Sequence, residues 1–138
     1  MRRIQKAEDS YNSIAIRTDF SDESAWKSIC EAINNPDNEF EAFVDFINDT
    51  DYDGLKVEHL PSVIPEHTTF VFIIDRTSLK EPDHPILAMD LFNEPGGTFR
   101  VIPSQMGVVS SNLCCANMGF EEFADSADES GVFRGFPK

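Results

Sequence analysis

The sequence predicts a single-domain α/β or α+β sandwich, in which a mixed sheet of about five strands packs against about four helices. The chain has 138 residues, which suits one domain. Its residues are 41% hydrophobic and include 12 phenylalanines, enough for a substantial core. Short apolar runs alternate with segments whose apolar residues recur at helical spacing. Because the first residues are polar and aperiodic, we expect a flexible tail at residues 1–12 and one globular domain at residues 13–138.

The first predicted elements are a strand and a helix. Ile14 and Ile16 alternate with their neighbours in a short strand. Ser21 is the expected N-cap of the helix, because acidic residues follow it where the helix dipole favours them. The helix is expected to end at the Asn-Asn-Pro of residues 34–36. Its buried stripe, at i, i+3, i+4 and i+7 spacing, consists of Trp26, Ile29, Cys30 and Ile33.

Residues 39–48 fit either a helix or a strand. A helix face would combine Phe40, Phe43, Val44 and Ile47, whereas a strand face would combine Phe40, Ala42, Val44 and Phe46. The density of Phe and Val, with loop residues on both sides, favours a strand. Residues 57–64 predict a short helix, in which Pro61 is tolerated near the start.

Two apolar strands and a hairpin follow. Residues 69–75 are apolar on both faces, which predicts a strand in the centre of the sheet. Residues 85–92 predict the next strand. The nine residues between them, 76–84, leave little room for a crossover helix, so we expect the two strands to be antiparallel. A turn at residues 93–97 leads into a strand at 98–103, which completes a hairpin.

Two helices are expected near the end of the chain. The first follows Ser104, and the second has Asn117 as its expected cap. Their apolar faces are Met106, Val109, Leu113 and Ala116 in the first, and Phe120, Phe123, Ala124 and Ala127 in the second. The apolar tail that follows is expected to dock on the core; it contains Val132, Phe133 and Phe136.

The charge of the chain narrows the range of partners. Its 25 acidic residues against 11 basic ones give a net charge of −14 and an isoelectric point near 4.4. Such a chain repels nucleic-acid backbones and anionic membrane surfaces, so neither is expected as a partner. A basic protein partner or a cation is compatible with the charge, and the oligomeric state is left open. The simplest role of the charge is solubility.

The sequence predicts a soluble cytoplasmic protein. The basic N-terminal residues are not followed by the apolar run of a signal peptide. The longest apolar run, at residues 70–74, is far too short to span a membrane. Three cysteines, an odd number, do not make a disulfide framework.

One stretch begins like the calcium loop of an EF-hand. Asp49, Asp51 and Asp53 match ligand positions 1, 3 and 5 of that loop, and Gly54 matches its glycine at position 6. Position 12 requires a bidentate Glu, but Leu60 occupies it. We therefore interpret the stretch as a solvated acidic turn closed by Gly54. Any divalent-cation binding by the three aspartates is expected to be weak.

No cofactor and no catalytic nucleophile are predicted. Cys114 and Cys115 are adjacent, so on a helix they point about 100° apart and chelate a metal poorly. The remaining cysteine and histidines lack the spacing of a zinc site. There is no G-x-S-x-G elbow, and the glycine pair at residues 96–97 lies in a hairpin rather than before a helix.

Charged residues within or beside the apolar strands are the most informative ones. They are Arg17, Asp19, Asp75, Asp90 and Arg100. A carboxylate buried in a sheet needs partners, and Arg17 and Arg100 are the expected counter-ions in a structural ion-pair network. The alternative is a ligand pocket at the strand ends. Its lining would be Arg17, Asp90 and Arg100, with amide contacts from Asn112 and Asn117.

Three stretches together resemble a known family. IAIRTDFSDESAWKSICEAI, HPILAMDLFNEPGGTFRVIPSQM and NLCCANMGFEEFADSADESGVFRGF are similar to small bacterial and fungal proteins classed as the domain of unknown function DUF6924. The resemblance covers about residues 13–136. It implies a free-standing single domain, and it implies no activity, cofactor or catalytic residue.

The family pattern is matched by RTDF, GTFR and GVFRGF. The resemblance therefore favours Arg17, Asp19, Arg100 and Arg134 as the residues of any site, or as salt bridges of the fold. The alternating aspartates of residues 49–53 and the second cysteine at 115 are not part of the pattern. This lowers the expectation of a calcium or metal site further.

Three functional hypotheses follow from the sequence. The first is a non-enzymatic acidic protein-interaction module, comparable with inhibitor or immunity proteins that bind basic partners. The second is a small-molecule-binding domain, or an unrecognised enzyme, with a pocket at the strand ends. The third is weak binding of a divalent cation by the loop at residues 49–53.

Overall fold

A mixed sheet of six strands lies at the centre of the protein. The structure is a computed structural model, and it describes residues 3–4, 12–36, 40–114 and 118–136. The strands are β1 (Ser13–Arg17), β2 (Val44–Ile47), β3 (Phe70–Ile74), β4 (Ile86–Asp90), β5 (Thr98–Val101) and β6 (Val132–Phe133). Their order across the sheet is β2-β1-β3-β4-β5-β6.

Five helices accompany the sheet in the described residues. They are α1 (Glu23–Asn34), α2 (Leu60–Val63), α3 (Arg76–Lys80), α4 (Met106–Cys114) and α5 (Phe120–Asp125). Short 3₁₀ turns occur at Thr50–Tyr52, Val57–His59 and Pro103–Gln105. A mixed sheet with helices confirms the predicted α/β or α+β class.

The strand directions agree with the expected pairing. β1 runs parallel to β2 and β3, whereas β3 and β4, and then β4 and β5, are antiparallel. The predicted antiparallel pair and the predicted hairpin are therefore both confirmed. The sheet has one strand more than expected, because the apolar tail does not merely dock: its Val132–Phe133 pairs with β5 as the parallel strand β6.

The link between β3 and β4 contains a helix that the sequence analysis did not predict. The nine-residue link was judged too short for a crossover helix, and the strands it joins are indeed antiparallel. It nevertheless accommodates α3, which has five residues. A single turn of helix fits because it returns the chain to the neighbouring strand instead of crossing the sheet.

The helix caps differ from two predictions. Asp22, not Ser21, caps α1, and its side chain accepts a hydrogen bond from the Ala25 N–H (3.0 Å). Ser21 is otherwise engaged, because its hydroxyl donates to Asp19 Oδ1 (2.5 Å), as does its N–H (2.9 Å). Gly119 precedes α5 as its cap. The predicted cap Asn117 and the predicted face residue Ala116 lie outside the described residues, and α5 ends at Asp125, before Ala127.

Each face of the sheet carries its own hydrophobic core. The first face is the one from which the side chains of Ala15 and Phe72 project, and it packs against α1, α4 and α5. The side chains of Ile16 and Ile73 project from the second face, which packs against Tyr52 and α2. All five residues of β3 are buried, which confirms the predicted central position of this strand. The sheet is thus covered on both sides, as expected of a sandwich.

Within the ambiguous segment at residues 39–48, a strand rather than a helix forms, and it covers Val44–Ile47. β2 begins only at Val44, and it pairs in parallel with β1. The residues before it run across α4, where the backbone of Phe40 approaches Gly107 so closely that a Cβ on Gly107 would lie 2.1 Å from the Phe40 carbonyl oxygen. A glycine in the first turn of α4 is what permits this contact.

Part of the predicted flexible tail packs on the domain. The Ile4 side chain is 6% exposed within the core of the second face. Its N–H donates to the Val63 carbonyl (2.7 Å). Residues 5–11 lie outside the described residues.

Candidate functional site

Arg17 is buried at the end of β1. Its side chain is 2% exposed. The guanidinium donates to Glu23 Oε2 (2.9 Å), to Asn48 Oδ1 (3.1 Å) and to the Asp19 carbonyl (3.3 Å). These three contacts satisfy hydrogen-bond donors on each of the guanidinium nitrogens. The Glu23 carboxylate also balances the positive charge of Arg17.

Two aromatic rings complete the surroundings of Arg17. The guanidinium carbon lies 4.2 Å from the centre of the Phe20 ring and 4.8 Å from that of Trp26. Both distances are within the range of a cation–π contact. Because the group is enclosed by rings and by its hydrogen-bond partners, it does not face a cavity. Its arrangement is that of a structural side chain.

Arg100 and Asp75 form a bidentate ion pair at the same end of the sheet as Arg17. Arg100 Nη1 and Nη2 donate to Asp75 Oδ1 (3.0 Å) and Oδ2 (2.8 Å). Nη1 also donates to the Pro85 carbonyl (3.1 Å). Asp75 additionally caps α3 by accepting the Ser78 N–H (3.1 Å). The pair therefore ties β5 to the turn after β3, as the expected ion-pair network requires.

The contacts of Asp75 lower the pKa of its carboxyl. Burial raises this pKa, but the hydrogen bonds from Arg100 and Ser78 outweigh burial, so it lies below the ordinary value of 3.8. A carboxyl whose pKa is lowered by folding stabilises the protein above its unfolded pKa, and this contribution is lost as the pH falls through the folded pKa.

We predict a pH-dependent difference between the wild type and Asp75→Asn. The wild type should be more stable by about 1–3 kcal/mol at neutral pH, since hydrogen bonds to charged groups contribute that much. The difference should shrink as the pH falls below 3.8, because the carboxyl of the unfolded chain is protonated first, and it should vanish once the pH has fallen through the lower pKa of the folded protein. Urea unfolding of both proteins over this pH range measures it. A difference that stays constant down to the acid limit would contradict the assignment.

Asp90 is buried at the end of β4, but it has no arginine partner among the contacts found. It is 4% exposed. Its carboxylate accepts backbone N–H bonds from Phe92 (2.9 Å), Asn93 (3.2 Å) and Glu94 (2.9 Å). The expectation that Arg17 or Arg100 serves as its counter-ion is wrong, because three amides of the following turn satisfy the charge instead. Asp90 shapes the hairpin between β4 and β5.

We predict that Asp90→Ala destabilises the protein by about 1.5–3 kcal/mol, since the three amides lose a charged acceptor. Asp90→Asn should cost less, because its remaining carbonyl oxygen can still accept from Phe92 and Asn93. Chemical denaturation of the two variants gives the comparison. Equal losses for Ala and Asn, or no loss for either, would show that the amide contacts do not hold the turn.

The predicted pocket around Arg17, Asp90 and Arg100 is not formed. Side chains alternate along a strand, so Arg17 and Asp90 point to the first face and Arg100 to the second. Arg17 lies opposite Ile74 of β3, and Asp90 lies opposite Phe70. Four residues along a strand correspond to about 13 Å. Arg17 and Asp90 therefore lie at opposite ends of the first face, and Arg100 lies on the second face, so the three side chains cannot line one pocket.

Three further predicted site residues have partners of their own, whereas Asn117 lies outside the described residues. Asp19 Oδ1 accepts from the hydroxyl and the N–H of Ser21, and the hydroxyl hydrogen bond is the main reason that the pKa of Asp19 is lowered. Asn112 donates within α4, to the Val108 carbonyl (2.8 Å). Arg134 Nε donates to Asp128 Oδ2 (2.7 Å), and Arg134 also pairs with Asp83.

The acidic loop is built as a turn. The Asp49 carboxylate accepts from the Asp51 N–H (3.0 Å) and caps the 3₁₀ turn that follows. Gly54 has a φ of +76°, the left-handed conformation that glycine adopts most readily. In the part of the chain that the structure describes, no group of three or more His, Cys, Asp or Glu side chains could hold a metal ion.

Cys30 is a thiol of low reactivity. Cys30 is half-buried, and burial raises the pKa of its thiol to about 11, so little thiolate forms near neutral pH. The side chain of Cys114 and all of Cys115 lie outside the described residues.

A cleft of about 650 Å³ opens at the other end of the sheet, where β1 begins and β4 ends. Its apolar lining includes Ile14, Phe70, Leu113 and Phe120. Phe92 also borders it and is 70% exposed. Among the described lining residues the titratable side chains are Asp90 and His67, and Asp90 is already held by the turn amides.

A further surface, the outer edge of β2, was not predicted from the sequence. This strand ends the sheet on one side, and Phe43 just before it is 62% exposed. The charge pattern of the sequence could have drawn attention to this region, because residues 28–55 contain eight acids and no Lys, Arg or His. The acids are Glu31, Asp37, Glu39, Glu41, Asp45, Asp49, Asp51 and Asp53. The position of β2 at an edge could not be deduced from the sequence.

Comparisons with known proteins give a family but no activity. In the described ranges, no helix has the length and apolar character needed to cross a bilayer. A search among curated proteins found no match. The model of one protein family, described as Domain of unknown function (DUF6924), matches residues 12–136, which is nearly the whole chain. The protein therefore belongs to the DUF6924 family.

Proposed function

We propose that this protein is a non-enzymatic acidic interaction module that binds a basic protein partner, as inhibitor and immunity proteins do. The observation that carries the proposal is the distribution of charge. The net charge is −14, and the guanidinium groups of Arg17, Arg100 and Arg134 are engaged by carboxylates of the same chain. The excess of acids is therefore presented to solvent rather than used in the interior.

Electrostatic attraction suits such a role. A surface with one sign of charge steers an oppositely charged partner and speeds association, and salt screens the effect. The described interior supports this view over catalysis, because its charged side chains are paired with one another or with backbone groups instead of converging on a cavity. The setting that we propose is the cytoplasm, since three cysteines do not suit a disulfide-stabilised secreted domain.

A pull-down with the immobilised protein tests the proposal. Binding should be compared at about 0.01 M and about 1 M ionic strength, where the Debye length is about 30 Å and about 3 Å. We expect a basic protein to be retained at the low salt concentration and released at the high one, and to bind again when purified. If no basic protein is retained at low salt, the proposal is wrong.

The cleft at the end of the sheet supports a second candidate function. Its volume of about 650 Å³ is that of a small-molecule site, and its apolar lining would suit a largely apolar ligand. A compound that binds there should raise the melting temperature. Leu113→Trp, which would fill the cleft, should abolish the rise. If compounds that raise the melting temperature do so equally in Leu113→Trp, they do not bind in the cleft.

A further inference from the structure

The backbone of β2 has an unpaired outer side in the described structure. The Ser13 N–H donates to the Phe43 carbonyl (2.9 Å), and Ser13 lies opposite Val44 in the parallel register. Consecutive residues of a strand direct their N–H and C=O groups to opposite sides. Asp45 and Ile47 therefore face β1, whereas the N–H and C=O of Val44 and Phe46 point away from it. No described strand lies beyond this edge.

The two edges of the sheet differ in what they offer. β6 has two residues, and Arg134 beside it is held by Asp83 and Asp128. β2 has four residues, and the segment that leads into it exposes two aromatic side chains, Phe43 at 62% and Phe40 at 39%. An edge strand is a template for another strand, and exposed rings beside it add apolar contact area.

Charge decides which strand could bind there. Residues 28–55 have eight acids and no base, and the described acids nearest to β2 include Glu41, Asp45 and Asp49. Two copies of β2 paired with each other would bring these acids together, which is destabilising. An extended segment rich in Lys or Arg would instead place cations opposite the acids while its backbone completes the ladder.

We infer that the outer edge of β2 binds an extended basic segment of the partner as an additional strand of the sheet. This inference rests on the proposed interaction function and gives it a location. The main-chain hydrogen bonds of Val44 and Phe46 hold the segment, the surrounding acids select basic side chains, and Phe43 packs against the apolar stems of those side chains.

Amide hydrogen exchange with a defined peptide tests the inference. The probe is a synthetic peptide of about eight residues with alternating Lys and Val, a length typical of paired strands. Without peptide, the amides of Val44 and Phe46 should exchange faster than those of Asp45 and Ile47, which bond to β1. With peptide, Val44 and Phe46 should become protected while Asp45 and Ile47 change little. Protection confined to other parts of the protein would overturn the inference.

A proline variant separates the edge from the fold. Val44→Pro removes the outward N–H and no hydrogen bond to β1, and proline is tolerated on edge strands at such positions. It also replaces a side chain that packs on the core of the first face, so the fold of the variant must be checked. We expect it to weaken peptide binding at least tenfold while the circular dichroism spectrum stays native. Unchanged affinity in the folded variant would contradict a strand added at β2.

A pair of charge variants remains informative even if Val44→Pro fails to fold. Glu41→Gln with Asp51→Asn and Asp53→Asn removes three exposed acids near β2. The matched control removes three exposed acids from α5 and the residues after it: Glu121→Gln, Asp125→Asn and Glu129→Gln. The first set should weaken peptide binding at least tenfold more than the control.

The outcomes distinguish the inference from the function on which it rests. Equal effects of the two charge sets would reject β2 as the site and leave the acidic module intact. The same holds if the purified partner binds and does not protect Val44 and Phe46. If no basic partner binds at low salt, the proposed function itself fails.

Discussion

Arg17→Ala is expected to lower the free energy of unfolding by about 3–5 kcal/mol. Emptying a large core position has a cost of this size. The Glu23 carboxylate is 60% exposed and becomes solvated when its partner is removed, so the lost packing and the lost hydrogen bonds of the guanidinium dominate. Arg17 is among the largest fully buried side chains of the protein, and its removal would leave Asn48 and the Asp19 carbonyl without their donor. The rings of Phe20 and Trp26 would lose the group that they enclose.

Thermal and urea unfolding measure this loss, and two companion variants separate its causes. Arg17→Lys keeps the charge but not the planar fork, so it should restore only part of the stability. Arg17→Met keeps most of the apolar volume and removes the charge. If packing dominates, Met should be more stable than Ala; if both unfold alike, the polar contacts dominate. A loss below about 1 kcal/mol for Arg17→Ala would show that the buried guanidinium is not structural.

Gly107→Ala is expected to destabilise the protein by about 3 kcal/mol, the upper end of the usual cost of overpacking. At an open helical position the same change would stabilise by up to about 1 kcal/mol. Here the new Cβ would lie 2.1 Å from the carbonyl oxygen of Phe40 and 2.7 Å from its carbonyl carbon. Both are backbone atoms, so the segment before β2 must move away from α4.

Chemical denaturation gives the sign of the effect, and Ser111→Ala on the same helix is the matched control. Fluorescence of Trp26 gives a local report, because its ring contacts Phe46 of β2 at 5.8 Å between centres. A shift of this fluorescence in Gly107→Ala would show that the displacement reaches β2. A stability equal to or above that of the wild type would mean that the close approach does not exist in solution.

Local patterns were sufficient to predict much of the fold. β3 could be predicted because its residues are apolar on both faces, and the short link after it made an antiparallel neighbour the simplest arrangement. The stripe of α1 was also found from its spacing, since Trp26, Ile29 and Ile33 are its buried residues. These features depend on neighbours in sequence, which is why they can be inferred without a structure.

Features that depend on distant neighbours could not be predicted. A strand with the composition of β2 could lie in the middle of a sheet or at its edge, and only the pairing with β1 decides. Asp90 also shows the difficulty. An acid in an apolar strand suggests a counter-ion, but hydrogen bonds from three backbone amides satisfy it equally well and leave no trace in side-chain composition.

The predicted cap of α1 failed for a similar reason. Ser21 and Asp22 are both good N-cap residues, so their types alone do not choose between them. The choice is made by Asp19, which accepts both the hydroxyl and the N–H of Ser21 and leaves Asp22 in the extended conformation of a cap. A residue two positions earlier thus shifted the start of the helix by one residue.

The central claim is that the arginines of the sheet, Arg17 and Arg100, pair with carboxylates of the same chain and hold the fold, which leaves the surface acids to act on a partner. A double-mutant cycle on Asp75 and Arg100 tests it most directly, with unfolding free energies of the wild type, Asp75→Ala, Arg100→Ala and the double variant. Asp75→Ala also removes the cap of α3. This cost is the same whether Arg100 is present or replaced by Ala, so it cancels in the coupling free energy. We predict a coupling free energy of about 1–3 kcal/mol. A coupling within about 0.3 kcal/mol of zero would contradict the claim.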